Sequence, residues 1–203
     1  MLFRSKELGE ILGIEVSGYS TMEDGVLQGM PLGDRYFFLD NLSRITRKPL
    51  RTIYEDYGDD EIDWYELDRV SRTLQQYKQK HKLLDFTDML EHWLKVGVAP
   101  KLDAVFVDEA QDLSALQWDF VEKLTENVDD RYVAGDDDQA IYRWAGADVE
   151  RLIHLPGRRI VLDQSYRVPR RVHALATNLL SRISTRVQKR FKPSDVQGDV
   201  NWY

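Results

Sequence analysis

Three short stretches concentrate side chains able to do chemistry. They are Val107-Asp108-Glu109-Ala110-Gln111-Asp112, Gly135-Asp136-Asp137-Asp138-Gln139 and Asp163-Gln164-Ser165-Tyr166-Arg167. Each follows an apolar run. An Asp at a strand end can hold Mg²⁺ through oxygen ligands, and the carboxylate next to it can orient or deprotonate an attacking water. Asp108-Glu109 has that arrangement. Taken singly, such a pair is also what a plain strand-to-helix turn selects, because acids favour a helix N-terminus. Three consecutive strand ends with two carboxylate clusters, a Gln and an Arg point instead to a shared site, since parallel sheets bind ligands at the carboxyl ends of their strands.

The elements that must position these residues are legible in the same half of the chain. LDAVFV (102–107) is a continuous, β-branched-rich apolar run, as expected of a fully buried parallel strand. The helix after it places Leu113, Leu116, Phe120 and Leu124 on one face, and Ser114 with Gln117 forms a capping-box pattern. RYVAG (131–135) predicts a second buried strand, a short helix follows near 147–153, and RRIVL (158–162) predicts a third strand. Pro169 suits the start of a helix running to about residue 183. This alternation means an α/β fold with a parallel sheet.

Upstream, the pattern is helical. ELGEILGI reads as a short helix, and Gly25, Gly29, Pro31 and Gly33 suggest turns. Leu67, Val70, Leu74 and Tyr77 recur at three- and four-residue steps, which predicts an amphipathic helix over 62–81 with Arg69, Arg72, Lys78 and Lys80 on the solvated face. Asp85 or Thr87 can cap a further helix that turns Met89, Leu90, Trp93 and Leu94 inward.

Composition bounds the rest. A compact chain of 23.8 kDa exposes about 10,000 Å² by surface scaling, so a sizeable core is within reach. There are no cysteines, which removes disulfides, thiolate zinc sites and cysteine nucleophiles together and fits a reducing, cytoplasmic setting. The four histidines lack metal-ligand spacing, which argues against zinc. No signal peptide or membrane span is present in the sequence. Residues 151–203 hold 11 basic and 3 acidic side chains, net +8, whereas residues 1–150 carry net −15. A tail this basic has two explanations, a polyanionic partner or attraction to its own acidic neighbour. Arg170, Arg171, Arg182, Arg186, Lys189, Arg190 and Lys192 are its candidate phosphate contacts.

VDEAQD, then GDDDQAIYRWAGA, then LDQSYR, with LLDFTDML just upstream, resemble successive motifs of the UvrD/Rep/PcrA helicases of superfamily 1. The strong match covers residues 83–172. The resemblance implies a partial RecA-like parallel sheet with flanking helices plus a helical insertion subdomain. Residues 1–82 would be the insertion, 83–165 the second half of the first motor domain, and 166–203 the start of the second. It implies ATP and Mg²⁺ as cofactors, single-stranded DNA as partner, and no membrane. Asp108 would ligate Mg²⁺, Glu109 would activate water and Gln139 would sense the γ-phosphate. Tyr142 and Trp144 would stack on bases, in place of ordinary core packing. Tyr166 would stack on adenine and Arg167 would neutralise γ-phosphate charge. Two departures bear on DNA coupling: Trp144-Ala145-Gly146-Ala147 stands where relatives usually have Trp-Arg-Gly-Ala, and Ser165-Tyr166-Arg167-Val168 where they usually have Asn-Tyr-Arg-Ser.

A third departure is an absence. A phosphate-binding loop needs G-x-x-x-x-G-K-[ST], and the sequence contains no Gly-Lys dipeptide. The expectation is a portion of a helicase that begins after that loop and ends soon after the second motor domain starts. It would be inactive alone and completed by the remaining segments. A non-catalytic subunit that binds single-stranded nucleic acid or serves assembly is the alternative, and a Mg²⁺-dependent nuclease or phosphotransferase using Asp108, Glu109 and Asp136–Asp138 is a third reading.

Overall fold

A computed structural model describes residues 5–17 and 30–201 of the chain. The expected turns at Gly25 and Gly29 lie outside the described residues. The first part is helical: α1 (Ser5–Leu12), α2 (Leu32–Thr46), α3 (Leu50–Tyr57), α4 (Trp64–His81) and α5 (Phe86–Val96). Pro31 is the residue before α2, while Gly33 lies inside that helix and not in a turn. Leu8, Leu12, Tyr36, Leu39, Leu42, Ile53, Ile62, Leu67, Val70 and Tyr77 form one buried cluster. Full burial of a side chain such as Leu67 contributes about 1.5–3 kcal/mol, so this cluster is what holds α1 to α4 together.

The periodicity over 62–81 becomes α4, capped by Asp63, whose side chain accepts the Glu66 backbone N–H. Asp85, rather than Thr87, caps α5 in a reciprocal capping box with Asp88. Two expectations change here. Met89 is exposed, because α5 turns toward its neighbours only the narrower stripe that includes Leu90, Trp93 and Leu94. Lys78 is buried and not solvated: its ammonium pairs with Asp85 at 2.9 Å and with Asp88 at 2.8 Å, which Arg44 also engages. A lone buried ammonium would be prohibitively costly, and the acids that cap α5 remove that cost.

The second part is a mixed helix-and-strand unit. β1 (Ala104–Val107) and β2 (Asp130–Val133) pair in parallel, Ala104 opposite Asp130 through Val107 opposite Val133. The crossover helix α6 (Ala115–Leu124) starts from a Ser114–Gln117 capping box, as its sequence indicates. α7 (Val149–Ile153) and α8 (Arg170–Leu180) follow, α8 directly after Pro169. Trp118, Leu116, Val121, Ala115 and Val149 are buried, with α6 packed against α2 and α5.

The sheet departs from expectation in two ways. Neither strand is fully buried: Phe106 and Tyr132 stack on each other, centroids 4.8 Å apart, on an open face. Residues 158–162 form no strand; Ile160, Val161 and Leu162 are exposed. The chain just beyond them pairs instead with the C-terminal segment, through Lys192 N–H to the Asp163 carbonyl and Ser165 N–H to the Lys192 carbonyl. Apolar, β-branched runs specify extended chain that favours burial, but a ladder needs a partner strand within reach.

Candidate functional site

The site is built at the carboxyl ends of β1 and β2. Ala134 donates its N–H to the Val107 carbonyl and Ala110 donates to the Ala134 carbonyl, so the two strands remain tied beyond the ladder. Between these loops lies Gln111, almost fully buried. Its amide nitrogen donates to Glu109 Oε2 at 2.9 Å and to Asp112 at 3.3 Å, and its Oε1 accepts the Asp136 backbone N–H at 2.9 Å. Gly135 permits this closeness, since a Cβ there would stand 2.9 Å from Gln111 Oε1. Gln111 is the site residue that the sequence reading passed over. Its place in the VDEAQD stretch is the signal it carries, and its partner in the second loop is 25 positions away.

Asp108 is exposed at the end of β1, with one carboxylate oxygen accepting the Glu109 backbone N–H at 2.9 Å. Glu109 adopts a left-handed conformation (φ 51°), which is unfavourable for a residue with a side chain by about 1–2 kcal/mol. That turn sends its carboxylate to Gln111. Burial raises the pKa of Asp112 above the ordinary carboxylate range, and the nearby Glu109 charge adds to the effect.

The β2 loop makes a one-turn 3₁₀ helix, Asp137–Gln139, capped by Asp136. Gln139 donates its side-chain amide to Asp136 Oδ2 at 2.7 Å. The three acids are met by the basic tail. Arg186 Nη2 lies 2.7 Å from Asp138 Oδ2, and the Val187 N–H donates to Asp137 Oδ2 at 2.6 Å. Lys189 Nζ lies 2.9 Å from Asp136 and 3.1 Å from Asp138, and also pairs with Asp137. Burial pushes the pKa of Asp136 up, but the Gln139 amide and the Lys189 ammonium outweigh it and hold the group below its usual range. Lys189 is held above its ordinary value because these carboxylates outweigh its own burial.

This resolves the open question of the tail in part. Arg186 and Lys189 face the chain's own acids, and Arg170, Arg171 and Lys192 pair with Asp195, Asp199 and Asp163. It also weighs against the part that Asp136–Asp138 would play in a nuclease site with Asp108 and Glu109, since two cations already occupy these three carboxylates.

An open cleft of about 2000 Å³ runs from these loops to α8. Asp108, Asp136, Gln139, Tyr166 and Arg167 all line it, drawn from three separate stretches of chain. Tyr166 is 87% exposed, and the Ser165 hydroxyl turns the chain at this point by accepting the backbone N–H groups of Arg167 and Val168. Glu109, Tyr142 and Trp144 are not part of the cleft wall. Tyr142 and Trp144 form their own tilted pair, centroids 6.5 Å apart, with Tyr142 exposed. Their loop is anchored to the start of α6 by the Asp148 N–H on the Leu113 carbonyl, and Trp118 Nε1 donates to the Asp148 carbonyl.

Comparison with known proteins adds an independent line. Residues 40–157, more than half of the chain, match the family of the UvrD/REP helicase N-terminal domain. The ATP-dependent DNA helicase PcrA of Bacillus subtilis is 29% identical over 139 residues, covering 61% of this chain and 19% of its own. DNA helicase II of Escherichia coli is 28% identical over 145 residues, covering 64% and 20%. The ATP-dependent DNA helicase Rep of Buchnera aphidicola is 29% identical over 119 residues, covering 52% and 18%. The matched region spans about a fifth of the length of these relatives.

Proposed function

The chain belongs to the UvrD/REP helicase N-terminal domain family, and from that premise we propose that it is a portion of an ATP-dependent DNA helicase, a motor coupling hydrolysis to movement along single-stranded DNA. The observation that carries this reading is the meeting of Asp108, Gln139, Tyr166 and Arg167 around one cleft. Nothing in a plain strand-to-helix turn requires a carboxylate, a carboxamide, an exposed phenol and a guanidinium from three stretches to line one open cleft.

In this reading Asp108 is the Mg²⁺ ligand. Mg²⁺ commonly takes one or two carboxylates and completes its shell with water and phosphate oxygens, so a single exposed carboxylate fits it. The ion would supply charge neutralisation at the phosphates. Tyr166 offers a free ring face to adenine, Arg167 a guanidinium to phosphate, and Gln139 a carboxamide to the γ-phosphate or the attacking water. Glu109 is the base, released from Gln111 as the site closes; such hydrogen bonds are commonly rearranged only in the loaded complex. Tyr142 and Trp144 form the stacking platform for single-stranded DNA, each stacked base contributing about 1–3 kcal/mol regardless of sequence.

The domain assignment is likewise part of this proposal: an insertion subdomain over 1–82, RecA-like motor segments over 83–165 and 166–203, and a cytoplasmic setting. Among the described residues no helix is long and apolar enough to cross a membrane. Because the sequence has no Gly-Lys phosphate loop, the chain by itself neither hydrolyses ATP appreciably nor unwinds DNA. The remaining segments of a helicase supply that loop and the second motor domain.

The test is Mg²⁺-ATP turnover by the purified chain, with and without a single-stranded oligonucleotide, beside Glu109→Gln. Background turnover in both proteins is the expected result. DNA-stimulated turnover that Glu109→Gln abolishes would overturn the inactivity of the isolated chain. The missing loop favours one further reading, a non-catalytic single-strand-binding or assembly subunit. It predicts salt-dependent binding of the oligonucleotide with no effect of nucleotide.

A further inference from the structure

The C-terminal segment meets the β2 loop in a compact cluster of charges. Five polar side chains, Asp136, Asp137, Asp138, Arg186 and Lys189, converge there from positions about fifty residues apart, and four of them are largely withdrawn from solvent. Simple anchoring of the tail would need only Arg186 on Asp138 and the Val187 N–H on Asp137. Lys189 does something further. It reaches Asp136 Oδ1, while the other oxygen of the same carboxylate accepts from the Gln139 amide. We propose that Lys189 is a positioning residue for Gln139, acting through Asp136.

The argument is one of donors and acceptors. An ionised carboxylate can only accept, so the nitrogen end of the Gln139 amide must face Asp136. That leaves the carbonyl oxygen and the second N–H of Gln139 for a group in the cleft. The orientation holds only while Asp136 is ionised and stationary. Asp136 lies beside two further carboxylates within one turn, and like charges this close favour protonation or separation. Lys189 touches all three and offsets much of that repulsion, so a cation supplied by the tail sets which end of Gln139 the cleft sees. This inference rests on the nucleotide reading of the cleft only for its purpose; the positioning itself is a property of the chain alone.

The experiment follows the side-chain amide of Gln139 by ¹⁵N–¹H NMR in the complete chain, without nucleotide, its signals assigned by their loss in Gln139→Glu. Lys189→Met is compared with Arg186→Met and Lys189→Arg. The expected result is that Lys189→Met moves the Gln139 signals to those of a free glutamine amide. Arg186→Met, which loosens the same tail without touching Asp136, should leave them in place, and Lys189→Arg should restore them. Lys189→Gln keeps the stem and a donor without the charge, and it replaces Lys189→Met if that variant does not fold. Unchanged Gln139 signals in folded Lys189→Met or Lys189→Gln, or equal shifts in Arg186→Met, would overturn the proposal. Adding Mg²⁺ with a non-hydrolysable ATP analogue tests the nucleotide reading separately, since its failure leaves the comparison among variants intact.

Discussion

Gln111 Oε1 accepts the backbone N–H of Asp136 at 2.9 Å, so a buried side chain from the loop after β1 fixes the first residue of the acidic loop after β2. The same side chain holds the Glu109 carboxylate. Gln111 therefore ties the two carboxylate-bearing loops to each other.

Gln111→Ala should destabilise the chain by about 1 kcal/mol, the net loss of a half-buried hydrogen bond to a backbone donor. Urea denaturation at neutral pH would read this as a lower midpoint with an unchanged slope. Gln111→Glu should cost more, because it sets a third carboxylate against Glu109 and Asp112, and the excess should shrink as the pH falls toward 4. An unaltered midpoint in Gln111→Ala would mean that the two loops are held together by other contacts.

The cluster of Arg44, Lys78, Asp85 and Asp88 makes a pH prediction. Burial pushes the Asp85 pKa up, but the Asp88 backbone N–H, Lys78 and Arg44 outweigh it and bring the group down to about 2. A carboxyl whose pKa is depressed on folding contributes stability that is present above its unfolded value, near 4, and is lost as the pH falls through its folded value. Stability from this site should hold down to about pH 4 and decline toward pH 2. Lys78→Met should remove about 1–3 kcal/mol at pH 7 by leaving two half-buried carboxylates with Arg44 as their remaining cation, and acid unfolding should begin at higher pH. Stability measured against pH in the two proteins checks both statements.

Gly146 has φ +95°, and a Cβ there would stand 3.0 Å from Ile45 Cδ1. Gly146→Ala should therefore cost about 1–2 kcal/mol, because the left-handed backbone alone disfavours a side chain by that amount. It should also disturb the neighbouring Tyr142–Trp144 pair. In the proposed function this appears as weaker oligonucleotide binding, measured by fluorescence anisotropy at fixed salt. Normal binding by a destabilised Gly146→Ala would separate the platform from the turn beneath it.

Phe106 is 76% exposed and Leu162 is 84% exposed, both lining the open cleft, and among the described residues β1 and β2 each have one edge without a neighbouring strand. Apolar surface and free edges of this kind promote association. The chain should self-associate with rising concentration in analytical ultracentrifugation, and Phe106→Ser should shift the profile toward monomer with little loss of stability. A wild-type chain that stays monomeric at high concentration would contradict this.

Local signals in the sequence determined much of the helical part and the order of the functional stretches. Asp85 and Ser114 cap helices, and the three- and four-residue spacing of Leu67, Val70, Leu74 and Tyr77 produces α4. These features need only neighbours a few positions away, so a linear string contains them. The VDEAQD, GDDDQ and LDQSYR stretches were likewise visible as chemistry and as family. Tertiary structure decided which partners each side chain takes. Lys78 and Lys189 look like ordinary surface cations until folding sets acids beside them, and Gln111 gains its meaning from a backbone amide in another loop. Ile160, Val161 and Leu162 have the composition of a strand, yet no β1 or β2 edge pairs with them. Periodicity reports which face of an element favours burial; only the packed molecule determines what, if anything, covers it.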